Sequence, residues 1–223
     1  MAQTTQSKAR SGSRSTSRSR SAARPGGRAR RRGRIAAVLA AAAIGAGVAA
    51  LVAGLGPLDD AVREITLPLH HEDIIRQQAA DKNLDPALIA AVIYEESRFR
   101  DQTSHAGARG LMQVSPATAD LIARDSGGTG FTQADLATPQ VNIAYGSYYL
   151  RYLLERYGRE EVLAVAAYNA GPTRVDGWVS GAGGAGEFEV ADHIPFSETR
   201  AYVENVLERR KEYRKNYADE LGL

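Results

Sequence analysis

From residue 69 onward, apolar side chains recur mostly at intervals of three and four residues, which is the spacing of one face of an α-helix. The segments with this spacing are His71 to Asn83, Leu88 to Phe99, Leu111 to Arg124, Asn142 to Tyr157, Val162 to Tyr168 and Ser197 to about Tyr217. No long run alternates apolar and polar residues as a half-buried strand does. The pattern predicts one all-α domain over residues 69–223.

Residues with known helix-end preferences divide these segments. Asp85-Pro86 and Ser115-Pro116 each place an N-cap residue before a proline, which predicts two helix starts, and Ser197 is predicted to cap the last helix. The run Asn169-Ala170-Gly171-Pro172 predicts a helix stop. The glycine-rich run 181–186 follows no apolar strand and precedes no Lys-Ser/Thr, so we interpret it as a flexible connection rather than a phosphate loop.

The helix predicted over Leu88 to Phe99 carries one residue that its pattern does not explain. At about 100° per residue, Glu96 falls near the middle of the apolar stripe, whereas Glu95 falls on its flank and is interpreted as a solvated residue. A carboxylate on a core-facing stripe is costly unless a partner compensates it or a function uses it. Glu96 is therefore either a structural ion-pair partner or a functional acid.

A second pattern precedes the domain. Residues 35–55 are 21 consecutive residues with no charged or polar side chain, and about 20 are needed to span a bilayer. This predicts a single transmembrane anchor. The small residues Val48-Ala49-Ala50 leave a cleaved signal peptide open as an alternative. Residues 56–68, with Pro57 and Pro68 as breakers, are predicted to be a linker.

Charge is distributed very unevenly. Residues 1–34 contain ten Arg, one Lys and no acid, which gives +11, so the overall +2 leaves −9 for the remainder. With almost no large apolar side chain, this tail is predicted to be disordered. Basic residues before the span place the N-terminus in the cytoplasm and the domain on the cell-wall side. The alternative, a nucleic-acid-binding tail, is not favoured, because the adjacent span explains the charge, and we expect no nucleic acid partner.

Cysteine is absent, which excludes disulfides and thiolate chemistry. Histidine occurs only at His70, His71, His105 and His193, without a ligand spacing, so no metal is predicted.

Five short motifs follow one another along the domain. They are Glu96-Ser97 with Phe99, Gly110 to Gln113, Asn142-Ile143 with Gly146 and Tyr149-Leu150, Ala167 to Pro172, and Ile194 to Arg200 with Tyr202-Val203. In this order and spacing, residues 72–217 resemble the catalytic domain of soluble lytic transglycosylases, a lysozyme-like family that cleaves murein. The resemblance does not extend to residues 1–68.

The resemblance implies a lysozyme-like helical fold and a set of roles. Glu96 would be the catalytic acid and base, and Ser97 would position Glu96 or the substrate. Tyr202 would lie near the carboxyl group of Glu96. The remaining implied positions, which would line a glycan groove, are Met112, Gln113, Tyr168 and Asn169. Met112 is also expected to contribute to core packing, and a core position is the alternative for Tyr168. The partners are then peptidoglycan strands and, through residues 35–55, the membrane, with no cofactor.

One carboxylate lies within a motif, whereas ordinary glycosidases use two. No feature marks Asp101, Asp120, Asp125 or Asp176 as the second. The resemblance implies cleavage of the β-1,4 bond between N-acetylmuramic acid and N-acetylglucosamine without water, which leaves 1,6-anhydromuramoyl ends. A water-using lysozyme of the same fold stays open, as does a glycan-binding scaffold of a cell-wall-spanning apparatus, although retention of Glu96 argues against the scaffold.

Overall fold

The computed structural model describes residues 62–127 and 130–223, and nearly all regular structure in them is helical. The α-helices in chain order are α1 (Glu72–Lys82), α2 (Pro86–Ser97), α3 (Pro116–Ser126), α4 (Pro139–Arg156), α5 (Glu161–Ala170), α6 (Pro172–Ala182), α7 (Val190–His193), α8 (Ser197–Asn216) and α9 (Ala218–Leu221). Residues 62–66 are also helical, and 3₁₀ turns occur at Gln133–Ala137 and Ala185–Glu187. The described residues form no strand, only isolated bridges from Arg109 to Thr103 and Val114. The all-α prediction is confirmed over this part.

Helix α2 runs through the core and is buried on every side. All residues from Ala87 to Tyr94 are buried, so the helix has no solvent-facing stripe along most of its length. The predicted amphipathic stripe is therefore wrong in detail. Its most extensive contact is with α8, and α8 packs in turn on α5. The two residues beyond α2, Arg98 and Phe99, both have positive φ, which ends the helix abruptly at Ser97.

The predicted helix starts agree with the structure at two of three positions. The Asp85 carboxylate accepts a hydrogen bond from the Ala87 amide at 3.0 Å, and the Ser115 hydroxyl accepts one from the Thr118 amide at 3.1 Å. Ser197 is not the cap, because it is already the first helical residue of α8 and the extended backbone continues to Phe196.

The stop predicted at Asn169 to Pro172 is also a start. Gly171, with φ of 88°, ends α5, and Pro172 is the first residue of α6, which the sequence pattern did not predict. Proline fits this position because a first-turn amide has no partner within the helix. Part of the glycine-rich run 181–186 belongs to the end of α6 and to the second 3₁₀ turn, so it is more ordered than expected.

Ion pairs join the N-terminal ends of α2 and α5 to α8. The carboxylate of Asp85 lies 2.6 Å from Nε of Arg210 and 2.9 Å from Arg214, and Arg210 also pairs with Glu161 at the start of α5. Asp85 therefore both caps α2 and holds it against α8. This arrangement fixes three helices relative to one another at the end remote from Glu96.

The chain enters the domain through a segment fastened by tyrosines, residues 66–68, which we call the entry segment. Its three consecutive carbonyl oxygens, of Thr66, Leu67 and Pro68, accept hydroxyl hydrogen bonds from Tyr94 at 3.0 Å, Tyr217 at 2.8 Å and Tyr213 at 2.7 Å, respectively. The Leu67 side chain is also buried in the core. These residues were assigned to the linker, but the packed structure includes them.

The predicted basic tail (1–34), the predicted span (35–55) and residues 56–61 of the predicted linker lie outside the described residues. Among the helices that are described, none combines the length and the apolar character that a bilayer crossing requires.

Candidate active site

Glu96 lies in the last turn of α2, at the wall of a cleft of about 570 Å³. The cleft is lined by Glu96, Ser104, Ala106, Ala108, Gln113, Val114, Ser115, Thr118, Tyr149, Tyr168, Asn169, Ala170, Gly171 and Glu198. These residues come from α2, the loop after it, α3, α4, α5 and the start of α8. Segments far apart in sequence therefore meet at the cleft that Glu96 faces.

The environment of Glu96 favours its protonated form. Its pKa is raised to about 7, chiefly by burial. The Tyr202 hydroxyl, which donates a hydrogen bond to Oε1 at 2.6 Å, lowers the pKa, and the charge of Glu95 raises it. The C-terminal end of a helix also carries partial negative charge, which disfavours an ionised carboxyl there. Burial raises the pKa values of Tyr202 and Tyr168 well above their usual range, so both hydroxyls remain protonated donors.

Glu95 is not the solvated residue that the helical wheel suggested. Its side chain is only 16% exposed, with one carboxylate oxygen 3.7 Å from Nε of Arg209 and the other 3.4 Å from Nδ2 of Asn205. Both partners lie on α8, which covers this flank of α2. The two adjacent carboxyl groups thus differ: Glu95 has a cation beside it, whereas Glu96 faces the cleft with a neutral tyrosine.

The loop after α2 is held to the end of that helix by three side chains. The Ser97 hydroxyl donates to the Leu111 carbonyl oxygen at 2.7 Å. The Gln102 amide donates to the carbonyl oxygen of Glu96 at 3.0 Å, and the Gln113 amide donates to that of Gln102 at 3.0 Å. Gln113 is thereby placed in the cleft wall, in a backbone conformation with φ of 47°.

Asn142 on α4 organises the same loop from behind. Its amide nitrogen donates to the carbonyl oxygens of Arg109 (2.8 Å) and Leu136 (2.9 Å), and its Oδ1 accepts from the Met112 amide at 2.8 Å. Gly110 fits beside it only because it lacks a side chain: a Cβ there would overlap with the Asn142 amide. Sequence reasoning noted Asn142 only as part of a motif.

The opposite wall of the cleft comes from α5. The Tyr168 hydroxyl donates to the Met112 carbonyl oxygen at 3.0 Å, and the Asn169 Oδ1 accepts from the Thr199 hydroxyl at 2.8 Å. Tyr149 of α4 packs against Tyr168 with ring centroids 5.5 Å apart. The cleft therefore pairs aromatic surfaces with amide groups, a combination suited to a ligand with apolar faces and a polar rim.

Comparison with known proteins identifies the family to which this domain belongs. The family model described as the transglycosylase SLT domain matches residues 73–190, more than half of the chain. The chain belongs to the transglycosylase SLT domain family. The matched region, residues 73–190, includes Glu96, Gln113, Tyr168 and Asn169, whereas Tyr202 lies outside that region.

Three relatives show how far the similarity extends. The soluble lytic murein transglycosylase of Escherichia coli K12 is 35% identical over 162 residues, which cover 71% of this chain and 25% of that protein. The crystal structure of the 70 kDa soluble lytic transglycosylase from E. coli superimposes with a TM-score of 0.65 at 34% identity, covering 71% of this chain and 26% of that one. A membrane-bound lytic murein transglycosylase C of Actinobacillus pleuropneumoniae is 28% identical over 63% of this chain and 44% of that protein. The chain spans about a quarter of the length of the first of these relatives.

Within this SLT domain, the predicted site residues fall into two groups. Glu96, Gln113, Tyr168 and Asn169 line the cleft, and Tyr202 contacts the Glu96 carboxyl group. Ser97 and Met112 do not reach the cleft. Ser97 is buried with its hydroxyl on the Leu111 carbonyl, which agrees with a role in positioning Glu96 but not with substrate contact.

Met112 departs most from its predicted place in the groove. Its side chain is completely buried and packs against Gly146, where an added Cβ would lie 2.6 Å from the Met112 Cβ. Its carbonyl oxygen accepts the hydrogen bond from Tyr168, which lines the cleft. Core packing was expected of Met112 alongside the groove position that the resemblance implied, and its side chain is found in the core.

Glu198 and Gln102 are cleft-associated residues that sequence reasoning did not single out. Glu198 is exposed in the first turn of α8 and lines the cleft, and Gln102 fixes the end of α2. The only signal for Glu198 was its place in the motif Ile194 to Arg200. Within the ranges 62–127 and 130–223, no group of three or more His, Asp or Glu side chains is arranged to hold a metal ion.

The contact between Gly146 and Met112 gives a testable stability difference. We expect Gly146→Ala to destabilise the SLT domain by about 1–3 kcal/mol, because the added methyl group overpacks a filled core. Gly177→Ala on α6 is the matched control, since its Cβ would meet nothing within 4 Å. Alanine has the higher helix propensity, so that variant should be neutral or more stable by up to about 1 kcal/mol. Urea unfolding of both variants measures the difference, and equal effects would contradict the packing described.

Proposed function

We propose that this protein is a lytic transglycosylase that cleaves the β-1,4 bond between N-acetylmuramic acid and N-acetylglucosamine in peptidoglycan. The observation that supports this most directly is Glu96, a partly buried residue with a pKa raised to about 7, facing a cleft of about 570 Å³ lined by tyrosines and amides. A carboxyl group with this pKa is half protonated near neutrality and is suited to act first as an acid and then as a base.

In the proposed reaction, Glu96 donates its proton to the oxygen of the scissile bond as the leaving group departs. The 2-acetamido group of the muramic acid assists the departure, as in other substrate-assisted glycosidases. Glu96, now a carboxylate, accepts the proton of the C6 hydroxyl, whose oxygen bonds to C1 and closes a 1,6-anhydro ring. No water is consumed, and Glu96 ends the cycle protonated.

Tyr202 has a defined part in this cycle. Its hydroxyl, 2.6 Å from Oε1, stabilises the carboxylate that forms after the first proton transfer and holds the carboxyl group in one orientation. Gln113 and Asn169 supply amide groups for sugar hydroxyls and acetamido groups. Tyr168 and Tyr149 supply the aromatic surface of the cleft.

The second candidate is a lysozyme that uses water, and it needs a second carboxylate near the bond. Of the acids considered from sequence, Asp176 is paired with Arg156 at 2.5 Å, and Asp120 accepts a hydrogen bond from Gln133. Glu198 is the one described carboxylate other than Glu96 that lines the cleft, so it is the group that would activate water. Its exposure to solvent disfavours this role.

The products separate the two candidates. When purified peptidoglycan is digested in ¹⁸O-water, we expect muropeptides with 1,6-anhydromuramoyl ends, lighter than hydrolysis products by one water and without label. Mass spectrometry of the products measures this. Reducing ends that carry ¹⁸O would replace the transglycosylase with the lysozyme. Glu198→Gln is the informative control, because it would leave anhydro products unchanged but would abolish a hydrolysis that depends on Glu198.

The location of the domain is part of the proposal. We place the catalytic domain on the cell-wall side of the membrane, anchored by residues 35–55, with secretion after signal cleavage as the alternative. The charge asymmetry of the sequence supports this orientation. One relative is named as membrane-bound and another as soluble, so family membership is compatible with both arrangements.

A further inference from the structure

A second cavity, of about 410 Å³, lies between the end of α1 and the second half of α4. We call it the α1/α4 cavity. It is lined by Asp81, Lys82, Tyr148, Arg151, Tyr152 and Glu155. None of these residues lines the catalytic cleft, and none has a part in the reaction described above.

The α1/α4 cavity is connected to the catalytic cleft by stacked tyrosines. Tyr149 lines the cleft, and its ring lies 6.1 Å from that of Tyr152, with the two planes 13° apart. Tyr152 lines the second cavity. Tyr149 also contacts Tyr168, so three aromatic rings lead from the cleft wall to the α1/α4 cavity. Tyr149 thus contacts one ring of the cleft wall and one ring of the α1/α4 cavity.

The side chain of Tyr152 is exposed at the surface beside Tyr149. It is 37% exposed, and it belongs to a small set of large apolar side chains that remain at the surface of the described part of the chain. An aromatic face of this kind contributes contact area at little cost in conformational entropy, and its hydroxyl edge remains in water.

The polar groups around Tyr152 are already held in place. Arg151 donates to the Glu155 carboxylate at 2.6 Å and to the Lys82 carbonyl oxygen at 3.0 Å. The Lys82 ammonium group donates to the Gln78 side chain and is partly desolvated, which lowers its pKa. An ammonium group has three donors, so it retains capacity for a further acceptor.

The chemistry of the α1/α4 cavity matches a sugar better than a charged peptide. Its two cations, Lys82 and Arg151, are balanced by two carboxylates, Asp81 and Glu155, so it has no net charge to attract the carboxylates of a stem peptide. Pre-held donors and acceptors around an aromatic face suit a ring with hydroxyl groups at its rim and C–H groups on its face.

We propose that the α1/α4 cavity is a distal glycan subsite, which binds a further part of the same strand that occupies the catalytic cleft. This inference rests on the proposed function, because the strand is the one that Glu96 cleaves. The subsite would make long strands better ligands than short ones, since only a long strand reaches both cavities at once.

The test measures binding without turnover. The full-length protein carrying Glu96→Gln, purified in mild detergent, is titrated with peptide-free tetrasaccharides and with long peptide-free strands. We expect the long strands to bind more tightly. Adding Tyr152→Ala should remove about a tenfold advantage for the long strands and leave the tetrasaccharide affinity unchanged. Tyr152→Phe keeps the aromatic face and should restore the advantage.

Tyr145→Ala is the matched control. Tyr145 lies on the same helix, stacks on Phe131 with centroids 4.6 Å apart, and lines neither cavity. This variant should keep the full advantage for long strands.

Each remaining outcome overturns the inference. The inference is wrong if the Glu96→Gln protein binds long strands no more tightly than tetrasaccharides. It is also wrong if the tighter binding of long strands persists after Tyr152→Ala. An equal loss for tetrasaccharides would show that Tyr152 acts only by supporting Tyr149. An effect limited to peptide-bearing strands would make the occupant a stem peptide. The proposed function is tested by a separate measurement: it is wrong if the unsubstituted protein does not cleave glycan strands.

Discussion

The Glu96→Gln variant is expected to lose about 10²- to 10⁴-fold in kcat, because it removes the group that transfers the proton in both steps. Glutamine keeps the shape of the side chain and can still bond to the Tyr202 hydroxyl, which lies 2.6 Å from Oε1 in the parent protein. Substrate should therefore still bind, and KM should change little. Release of muropeptides from purified peptidoglycan measures the rate.

Glu95→Gln and Glu198→Gln are the controls for this result. Glu95 is turned toward Arg209 and Asn205, and Glu198 is exposed at the cleft, so neither occupies the position of the proton donor. Both variants should retain most activity at the optimal pH. Equal impairment of Glu95→Gln and Glu96→Gln would show that the catalytic carboxyl group has been assigned wrongly.

The same substitution should change how stability depends on pH. In the folded protein the pKa of Glu96 is about 7, above its usual value of 4.5. The contribution of Glu96 to the free energy of unfolding is therefore fully present below pH 4.5 and is lost as the pH rises through 7. At 1.36 kcal/mol per pKa unit, the difference between 4.5 and about 7 corresponds to a loss of about 3 kcal/mol. Glu96→Gln lacks this loss. We expect its stability relative to the parent to rise by up to that amount between pH 4 and pH 8, which also shows that inactivity is not misfolding.

Activity should fall steeply on the alkaline side of neutrality. The reaction begins with protonated Glu96, whose pKa is raised to about 7 by burial, so each pH unit above 7 should lower kcat/KM about tenfold. Tyr202 and Tyr168 cannot produce this limb, because burial keeps their pKa values well above the usual range for tyrosine.

Tyr202→Phe tests which group sets the limb. The hydroxyl of Tyr202 stabilises the ionised form of Glu96, and its removal should raise the pKa of Glu96 further. The alkaline limb of the pH profile should then move to higher pH, even as the maximal rate falls. A limb that stays in place in Tyr202→Phe, or that moves to lower pH, would contradict control by Glu96.

Glu96 illustrates what the sequence could predict and what it could not. A helical wheel identified Glu96 because a carboxylate on the apolar stripe of a helix is energetically costly. That argument uses only the residues of the helix itself. The same wheel failed for Glu95, because the residues that shield it, Asn205 and Arg209, lie on α8, more than 100 residues later. Local periodicity carries no information about which distant helix covers a given flank.

The remaining differences have similar causes. Tyr202 was placed near Glu96 by resemblance alone, since the hydrogen bond joins residues 106 positions apart. Helix α6 was missed because Gly171-Pro172 ends one helix and begins the next, and the signals for a stop and a start coincide there. Met112 was placed in the groove because its motif lies there, but the space beside Gly146 takes its side chain into the core.

The way in which the entry segment is fastened determines where the domain tolerates change. Tyr94, Tyr213 and Tyr217 recognise three main-chain carbonyl groups, which every amino acid possesses. Apart from the buried Leu67, the side chains of this segment contribute little to the attachment. The tyrosines that hold the incoming chain thus belong to the domain, and the segment supplies mainly main-chain acceptors. The side chains at positions 66 and 68 can therefore change without redesign of the catalytic helix, provided that the three tyrosines remain.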